Sequence, residues 1–444
     1  MAKRMRFILS TIMVIVAMTA KAQVTTSSLS GKVTDPDKEA IIGATVQAIH
    51  EPSGTRYGAI TNIDGRYTIQ GMRAGGPYSV EVSYIGYQTM MYKDVTLQLG
   101  EVYNLNVQMK ESSELLEEVV VTAQKTKFAS EKTGATTNIS NTQIASMPSV
   151  SRSITDYSRL SAYGGNGMSF AGSDGRTANF TIDGANFNNN FGLSSNLPGG
   201  GNPVSIEAID EIQIVISPFD VRQTNFIGGG INAITKSGTN TYKGTAYIYH
   251  QNENMRGDAI DRETILGARE KDQSTTYGFT IGGPIIKNKL FFFANGELQN
   301  TPAIANRWRA SEDGVANADA YISRATVADL QNVSDIAKER YGYDTGSFSS
   351  FPSDNKNTKL LARIDWNINN NHRLALRYNY TKNTVWNAPN ASSMDGGTRM
   401  SGSRTSQYAM SYANSMYSLD NLVHSLSFDL NSRFSATLSN QFLA

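Results

Sequence analysis

Apolar and polar residues alternate along most of this chain with the period of two that is typical of β-strands. Beyond the first twenty residues there is no run of about 18 apolar residues, so the pattern predicts no transmembrane helix. Residues 29–110 contain short alternating segments separated by turn residues such as Asp35-Pro36-Asp37 and Asp64-Gly65. This spacing predicts a compact N-terminal β-sandwich.

From residue 241 onward the alternating segments lengthen to roughly ten residues, the length of a transmembrane β-strand. Each has one apolar and one polar face, and the apolar face of the first segment includes Tyr247 and Tyr249. The predicted strands are Tyr242–His250, Thr275–Gly283, Leu290–Gln299, Lys359–Ile368, Arg373–Thr381, Leu426–Leu430 and Phe434–Phe442. A soluble antiparallel sheet with one solvent-exposed face shows the same alternation.

The lengths of the connections separate these two interpretations. Short turns alternate with three long polar connections, at 251–274, 300–357 and 382–420. Membrane barrels have short periplasmic turns and long external loops, whereas a compact soluble domain rarely carries three such loops. We therefore expect about seven strands of a transmembrane antiparallel β-barrel, a mainly β fold overall.

The N-terminus has the form of a secretory signal peptide. Lys3, Arg4 and Arg6 precede an apolar stretch from Phe7 to Met18, and Ala20-Lys21-Ala22 has the small-x-small form that signal peptidase cuts. A short membrane anchor is the alternative, but the apolar stretch is too short to span a bilayer with margin. The predicted cleavage lies between Ala22 and Gln23.

The composition excludes several classes of function. The net charge of +1 gives no reason to expect a nucleic-acid partner, and the absence of cysteine excludes disulfides, thiolate zinc sites and lipoprotein acylation. The four histidines are scattered, and no catalytic or metal-binding pattern occurs. We predict no enzyme activity, no metal and no cofactor.

Residues 114–123 carry acidic side chains that lead into a short β-prone run. They could form a last sandwich strand and its linker. Alternatively, an extended segment with free backbone groups can add a strand to the sheet edge of a partner. The candidate contact residues are Glu117, Glu118, Val119, Val120, Val121, Thr122 and Ala123.

Three segments resemble known protein families and make these expectations more specific. Gly31-Lys-Val-Thr-Asp, Ile42-Gly-Ala-Thr-Val and Thr61-Asn-Ile-Asp-Gly-Arg-Tyr resemble the carboxypeptidase regulatory-like domain, a non-catalytic transthyretin-like sandwich. The 114–123 segment resembles the TonB box of Bacteroidetes-type receptors. Ile182-Asp183-Gly184, the acidic stretch 207–212 and the glycine-rich stretch 229–236 resemble, in this order, the α+β plug of TonB-dependent outer-membrane receptors.

The residues from Pro218 to Gln223 resemble the Oar-like branch of that family, in place of the R-G-P turn of many members. The glycines at 228–230 are expected to pack closely where the plug meets the barrel wall. The predicted segments are a signal peptide (1–22), a sandwich (23–112), a TonB-box linker (113–127), a plug (128–238) and part of a barrel (239–444).

The resemblance implies an outer-membrane receptor of a Gram-negative cell that imports a nutrient when a TonB-type inner-membrane transducer pulls on the contact segment. Its neighbours would be outer-membrane lipid and a surface lipoprotein. Substrate would meet the upper loops of the plug, where the side chains could hydrogen-bond sugars, peptides or chelates, or serve only as loop residues. The candidates are Phe187, Asn188, Asn189, Asn190, Asn196 and Asn202.

Two further expectations follow from the resemblance. Because the barrel of the family has twenty-two strands and about seven are found here, the chain is expected to be a fragment of a receptor. The Oar-like features also leave open a surface protein that acts in adhesion or envelope organisation without transport. A secreted peptidase, which the name of the first domain suggests, lacks any supporting constellation of residues.

Overall fold

The computed structural model describes residues 24–444 apart from a set of gaps. The residues outside the description are 112–118, 123–134, 148, 150–151, 166, 189–196, 198–201, 218–222, 225, 256, 258, 261–262, 265–272, 303–305, 388–404 and 436–437. The predicted signal peptide and its cleavage site, Ala22 and Gln23, therefore lie outside the described residues. Among the described residues, no helix is long and apolar enough to cross a membrane.

The N-terminal unit is the predicted β-sandwich. Its strands are β1 (Ser27–Thr34), β2 (Thr45–His50), β3 (Thr55–Ile60), β4 (Arg66–Met72), β5 (Gly75–Ser83), β6 (Met90–Leu97), β7 (Val102–Asn104), β8 (Val107–Gln108) and β9 (Val119–Thr122). One sheet has the order β4-β1-β7, with β8 also paired to β1, and the other has the order β3-β2-β5-β6-β9. Alternate residues of the two sheets pack into one buried core that includes Leu29, Val46, Tyr78 and Leu97.

The second unit is an α+β domain, which we call the plug after the prediction for residues 128–238. Its elements are β10 (Ala135–Ser140), α1 (Asn141–Ser146), α2 (Ile154–Ser158), β11 (Asn179–Ile182), β12 (Ala185–Asn186), β13 (Ile209–Ser217) and β14 (Gly230–Thr235). They form a sheet in the order β10-β13-β14-β11-β12, in which β11 and β14 run parallel. Asp183 and Gly184 turn the chain between β11 and β12 with positive φ angles, 50° and 83°. Asp and Gly tolerate this left-handed conformation, which explains the turn at this position.

The plug core corrects the expectation for the glycines at 228–230. A side chain at Gly229 would come within 2.7 Å of the ring of Phe170, and Gly228 has a φ of 96°. The close packing is therefore inside the plug, against Phe170, and not against the barrel wall. Phe170 is fully buried there with Phe180 and Ile212.

The third unit is a seven-stranded antiparallel sheet in which consecutive long strands pair, in the order β15-β18-β19-β22-β23-β24-β25. Its strands are β15 (Lys243–Gln251), β18 (Ser274–Ile286), β19 (Leu290–Pro302), β22 (Asp354–Asn367), β23 (His372–Asn387), β24 (Tyr417–Arg433) and β25 (Ser439–Leu443). The number of strands matches the prediction, and within the described residues the sheet does not close on itself. The strand β24 runs to Arg433, past the predicted end at Leu430, and β25 begins at Ser439, later than the predicted start at Phe434.

The long connections carry small elements of their own. These are β16 (Ala259–Ile260), β17 (Glu263–Thr264), β20 (Arg309–Ser311), β21 (Ile322–Thr326) and α3 (Val327–Tyr341). The helix α3 begins where the Thr326 hydroxyl accepts a hydrogen bond from the amide of Asp329, and it ends at Gly342 in the left-handed conformation. These are ordinary helix start and stop signals.

Candidate functional site

The seven-stranded sheet buries charged side chains and exposes apolar ones, the reverse of a soluble sheet. Lys359 and Arg363 are 3% and 7% exposed, whereas Tyr277 and Ile364 are 52% and 42% exposed. The buried polar face lies against the plug, because the plug core also contacts Phe293 and Leu361 of the sheet. A polar inner face and an apolar outer face are typical of a membrane barrel. The exposed apolar residues on its strands include Ile248, Tyr277, Phe279, Ile281, Leu298, Leu360, Ile364, Trp366, Leu376, Tyr378, Leu419, Leu422 and Leu426.

The orientation of the first strand corrects the sequence interpretation. The hydroxyl of Tyr247 donates a hydrogen bond to Glu297 Oε2 at 2.9 Å, and that of Tyr249 donates one to Glu207 Oε1 at 3.2 Å. The Tyr247 hydroxyl also lies 2.9 Å from Ser205 Oγ of the plug, so both tyrosines face the plug. Ile248 between them points to the opposite face and is 67% exposed, against 41% for Tyr249. Alternation alone could not choose the face, because tyrosine suits either side.

Two arginines face each other across the neighbouring strands β22 and β23, at Arg363 and Arg377. Like charges directly opposite each other destabilise a sheet unless anions compensate them. The plug supplies one such anion, since Asp183 Oδ1 lies 3.6 Å from Arg363 Nη1 and 3.5 Å from Arg377 Nε. Asp183 is held in place by the amide and hydroxyl of Thr235, at 3.0 and 2.6 Å. The turn motif of the plug is thus an ionic contact with the barrel.

The barrel itself supplies two more carboxylates to this cluster. Asp365 accepts two hydrogen bonds from Arg363, at 2.8 and 2.9 Å. Asp429 Oδ2 lies 3.5 Å from Arg377 Nη2. The sandwich contributes Arg73, whose Nη2 lies 3.2 Å from Asp365 Oδ1. All three units therefore meet at one ionic cluster, which we call the junction cluster.

A small polar cavity lies in the junction cluster. Its space for water-sized molecules is about 20 Å³, and its lining includes Arg73, Asp183, Asp210 and Thr235. That volume suits about one water molecule and no nutrient. The cluster is therefore suited to fastening the three units together.

A second ionic contact lies further along the barrel wall. Lys359 Nζ donates to Glu297 Oε1 at 2.7 Å, and both residues are buried. The other oxygen of Glu297 accepts hydrogen bonds from Tyr247 and from Ser205 of the plug, at 2.9 and 2.7 Å. A buried pair is tolerated when its remaining hydrogen-bonding capacity is used in this way.

A third contact involves an arginine of the plug. The Arg152 guanidinium lies 3.7 Å from the centre of the Tyr249 ring, and its Nη2 lies 3.0 Å from Glu207 Oε1. Cation–π stacking combined with an ion pair favours one orientation of the arginine. The face of β15 that carries Tyr247 and Tyr249 therefore forms part of the barrel surface that contacts the plug.

The sequence interpretation did not identify the charged residues of these contacts. In the sequence, Arg363, Asp365 and Arg377 lie at polar positions of alternating segments, and the alternation gives no partner for any of them. The available signal was charge, because Arg, Asp and Lys in membrane strands are costly unless they are paired. Partners in different units lie far apart in the chain, as do Arg363 and Asp183, which are 180 residues apart, so their pairing could not be predicted.

The central part of the proposed TonB-contact segment is described as a strand. Val119, Val120, Val121 and Thr122 form β9, which pairs in parallel with β6 of the sandwich. Glu117, Glu118 and Ala123 lie outside the described residues. These four residues therefore form a last strand of the sandwich, which is one of the two alternatives from the sequence. The other alternative, contact with a transducer, stays a prediction for the same segment.

Three of the six candidate substrate residues are described, and each makes contacts within the plug. Phe187 is buried in the plug core. The Asn188 side chain accepts a hydrogen bond from the amide of Phe180 at 2.7 Å, and the Asn202 side chain accepts one from the amide of Ile154 at 3.1 Å. Substrate binding by these residues stays a prediction, as it does for Asn189, Asn190 and Asn196, which lie outside the described residues.

The sandwich also contacts the plug through a turn that follows β6. The amide of Leu99 donates to Glu211 Oε1 at 2.9 Å, and the side chain of Asn138 donates to the same oxygen at 2.8 Å. Burial raises the pKa of the Glu211 carboxyl to about 7, with smaller contributions from the Asp210 and Glu101 carboxylates, although the two N–H donors oppose the shift. A titratable carboxyl therefore lies within the contact between the two units.

Comparison with known proteins follows the same division of the chain. Residues 28–110 match the family model of the carboxypeptidase regulatory-like domain, and residues 234–443 match that of an outer membrane beta barrel domain. The TonB-dependent transporter Oar of Myxococcus xanthus is 27% identical over 227 residues, which cover 48% of this chain and 19% of Oar.

Among solved structures, the outer membrane transporter YddB from Escherichia coli has a TM-score of 0.44 at 13% identity, covering 68% of this chain and 37% of that one. The siderophore receptor PirA from Pseudomonas aeruginosa has a TM-score of 0.39 at 12% identity, covering 71% and 40%. The chain thus spans well under half the length of these relatives.

The family matches confirm the predicted resemblance to Oar-like receptors with an N-terminal regulatory-like domain, and the predicted outer-membrane location. The Bacteroidetes origin and the signal peptide stay predictions.

Proposed function

We propose that this chain, in which a carboxypeptidase regulatory-like domain precedes a plug and outer-membrane barrel strands, acts in TonB-dependent, energy-coupled import of a nutrient. The observation that supports the proposal most is the polar face of the barrel strands, which is occupied by a plug fastened through Asp183. Import through such a barrel requires the plug to be moved. The chain offers a segment that a motor could hold, at 117–123, directly before the plug.

The fastening contacts fit a plug that can be moved and reseated. They are ionic and hydrogen-bonded, as at Arg377 and Asp183, and the ion-pair distances of 3.5–3.6 Å there are longer than those of direct charge-assisted hydrogen bonds. Polar contacts of this kind can exchange with water when the plug moves, whereas a wide apolar interface could not part without exposing its surface. We propose no enzymatic step, and the chemical class of the nutrient is left open.

Pairing of the 117–123 segment with the transducer rests on backbone hydrogen bonds. Val121→Pro removes one N–H and opposes strand pairing, whereas Val121→Thr keeps the backbone and the β-branched shape. We expect the proline variant to reach the outer membrane but to lose energy-dependent uptake, and the threonine variant to retain it. The measurement is growth on, or accumulation of, candidate nutrients by cells that carry each variant.

Two outcomes would contradict the proposal. Uptake that is equal in the proline variant and the wild type would show that the segment is not the motor contact. Loss of adhesion or envelope integrity in a strain that lacks the protein, with uptake of all tested nutrients unchanged, would favour the alternative envelope function.

A further inference from the structure

The four-residue strand β9 occupies the edge of the N-terminal sandwich. It is the last strand of the sheet β3-β2-β5-β6-β9, and it pairs in parallel with the first half of β6. The register places Met90 beside Val119, Met91 beside Val120 and Tyr92 beside Val121. The backbone groups along one edge of this strand are therefore used within the protein.

The same strand β6 continues directly into the turn that contacts the plug. Leu99, two residues after the end of β6, is fully buried against Ala74 of the sandwich and Ile234 of the plug. Its carbonyl accepts hydrogen bonds from the side chains of Gln213 and Asn138, at 2.5 and 3.0 Å, and its amide donates to Glu211. The edge that holds β9 is thus fastened to the plug sheet, and it does not move as a free module.

We propose that the β6 edge is a storage site for the 119–122 strand, which must leave β6 before the inner-membrane transducer can engage it. This inference rests on the proposed function, since it takes residues 117–123 as the motor contact. A strand-adding partner competes for the same kind of backbone pairing that β6 supplies. The sandwich therefore sets how often the contact segment is available.

The length of the pairing and the position of the linker support exchange. Within the described residues, four register pairs join β9 to β6, whereas five join β6 to β5 and six join β5 to β2. A short ladder at the edge of a sheet can open locally without unfolding the rest of the sandwich. Residues 123–134 connect β9 to β10, and twelve residues can extend over roughly 40 Å. A released β9 can therefore move away while the sandwich stays on the plug.

Disulfide trapping tests the storage site, because the chain has no cysteine of its own. Neighbouring strands lie about 4.8 Å apart, within the Cα range of disulfides. In Met91→Cys/Val120→Cys the bond would lock β9 on β6. The matched control is Glu81→Cys/Met91→Cys, which joins β5 to β6 at a register pair and leaves β9 free.

The probe is the purified periplasmic domain of a TonB-type transducer, added to each full-length variant. We expect the oxidised Met91/Val120 variant to bind the probe at least tenfold more weakly than the same protein after reduction. The oxidised Glu81/Met91 control should bind within twofold of its reduced form. Recovery on reduction excludes misfolding as the cause.

The other outcomes overturn the inference in distinguishable ways. If the control forms its disulfide and the Met91/Val120 pair does not, β9 is not stored on β6, whatever its partner. If the locked protein binds the probe as well as the reduced one, the transducer adds to the sandwich without strand exchange. If neither reduced variant binds and the Val121→Pro variant still imports its nutrient, the proposed function fails, and the storage role fails with it.

Discussion

Replacing Asp183 by Asn tests whether the turn of the plug is an ionic fastener. Asparagine keeps the size, tolerates the left-handed backbone conformation, and its Oδ1 can still accept the hydrogen bond from the Thr235 amide. The negative charge is lost, and an NH2 group replaces the oxygen that accepts from the Thr235 hydroxyl. Arg363 and Arg377, which face each other across β22 and β23, then lose the carboxylate that lies between them.

The size of the effect follows from the burial and the distances. Removing one partner of a buried ion pair typically costs about 3–5 kcal/mol. The lower end applies here, because the separations of 3.5 and 3.6 Å are long and because Asp365 and Asp429 still pair with the two arginines. About 3 kcal/mol corresponds to a change of roughly a hundredfold in the equilibrium between seated and displaced plug.

Hydrogen–deuterium exchange of the backbone amides of β14 measures this equilibrium. Exchange that requires plug opening should become roughly a hundredfold faster in Asp183→Asn, while exchange in the sandwich core is unchanged. The control is Asp174→Asn, which removes a carboxylate that pairs with Arg176 at the surface of the same unit. An exposed pair contributes little, so this variant should exchange at the wild-type rate.

Exchange of β14 in Asp183→Asn within threefold of the wild-type rate would contradict this prediction. The two arginines would then be compensated by the barrel carboxylates alone, and the plug turn would be held by its hydrogen bonds to Thr235. Equal acceleration by Asp174→Asn would also contradict it, because a general loss of negative charge would then be the cause.

Three further predictions concern the same framework. Gly229→Ala should destabilise the plug by about 1–3 kcal/mol, since the added methyl overlaps the aromatic ring beneath it, and a urea melt with an unshifted midpoint would refute this. The contact between the sandwich and the plug should be tighter at pH 5 than at pH 8, because the contact raises the pKa of the Glu211 carboxyl to about 7 and is therefore weakened as pH rises from about 4.5 to 7. Hydrogen exchange at the Leu99 amide, corrected for intrinsic rates, should show this pH dependence, and Glu211→Gln should abolish it. Lys359→Met should lower the free energy of unfolding by about 3 kcal/mol, because Glu297 is left buried without its cation, and adding Glu297→Met should recover part of that loss. Additive losses of unfolding free energy in the double variant would argue against a coupled pair.

The architecture was predictable because its signals are local. Alternation along segments such as Arg373–Thr381 identifies strands, and the order of short and long connections identifies the meander, whose seven strands the structure confirms. Strand ends were less predictable, since β23 extends to Asn387 through a polar stretch in which the alternation is weak. Tertiary pairing with β22 and β24 keeps that stretch extended.

The contacts between units were not predictable, because they depend on distant residues. Nothing near Leu99 indicates that its amide meets Glu211, more than a hundred residues later. Likewise, β6 lacks the regular alternation that identified its neighbours, so the edge that receives β9 was not recognised. Partner binding by residues 117–123 stays a prediction, and the position of residues 119–122 on the sandwich edge came only from the structure.

The central claim is that the apolar face of the seven-stranded sheet contacts lipid while its polar face encloses the plug. Spin labels placed one at a time at consecutive positions of β23, from Leu374 to Thr381, measure this directly in outer-membrane vesicles, because the chain has no other cysteine. Collision with oxygen, which dissolves in lipid, should be high at Leu376 and Tyr378 and low at Arg377 and Asn379. Oxygen accessibility without this period of two, or high accessibility of Leu376 and Tyr378 to a water-soluble nickel chelate, would contradict the account.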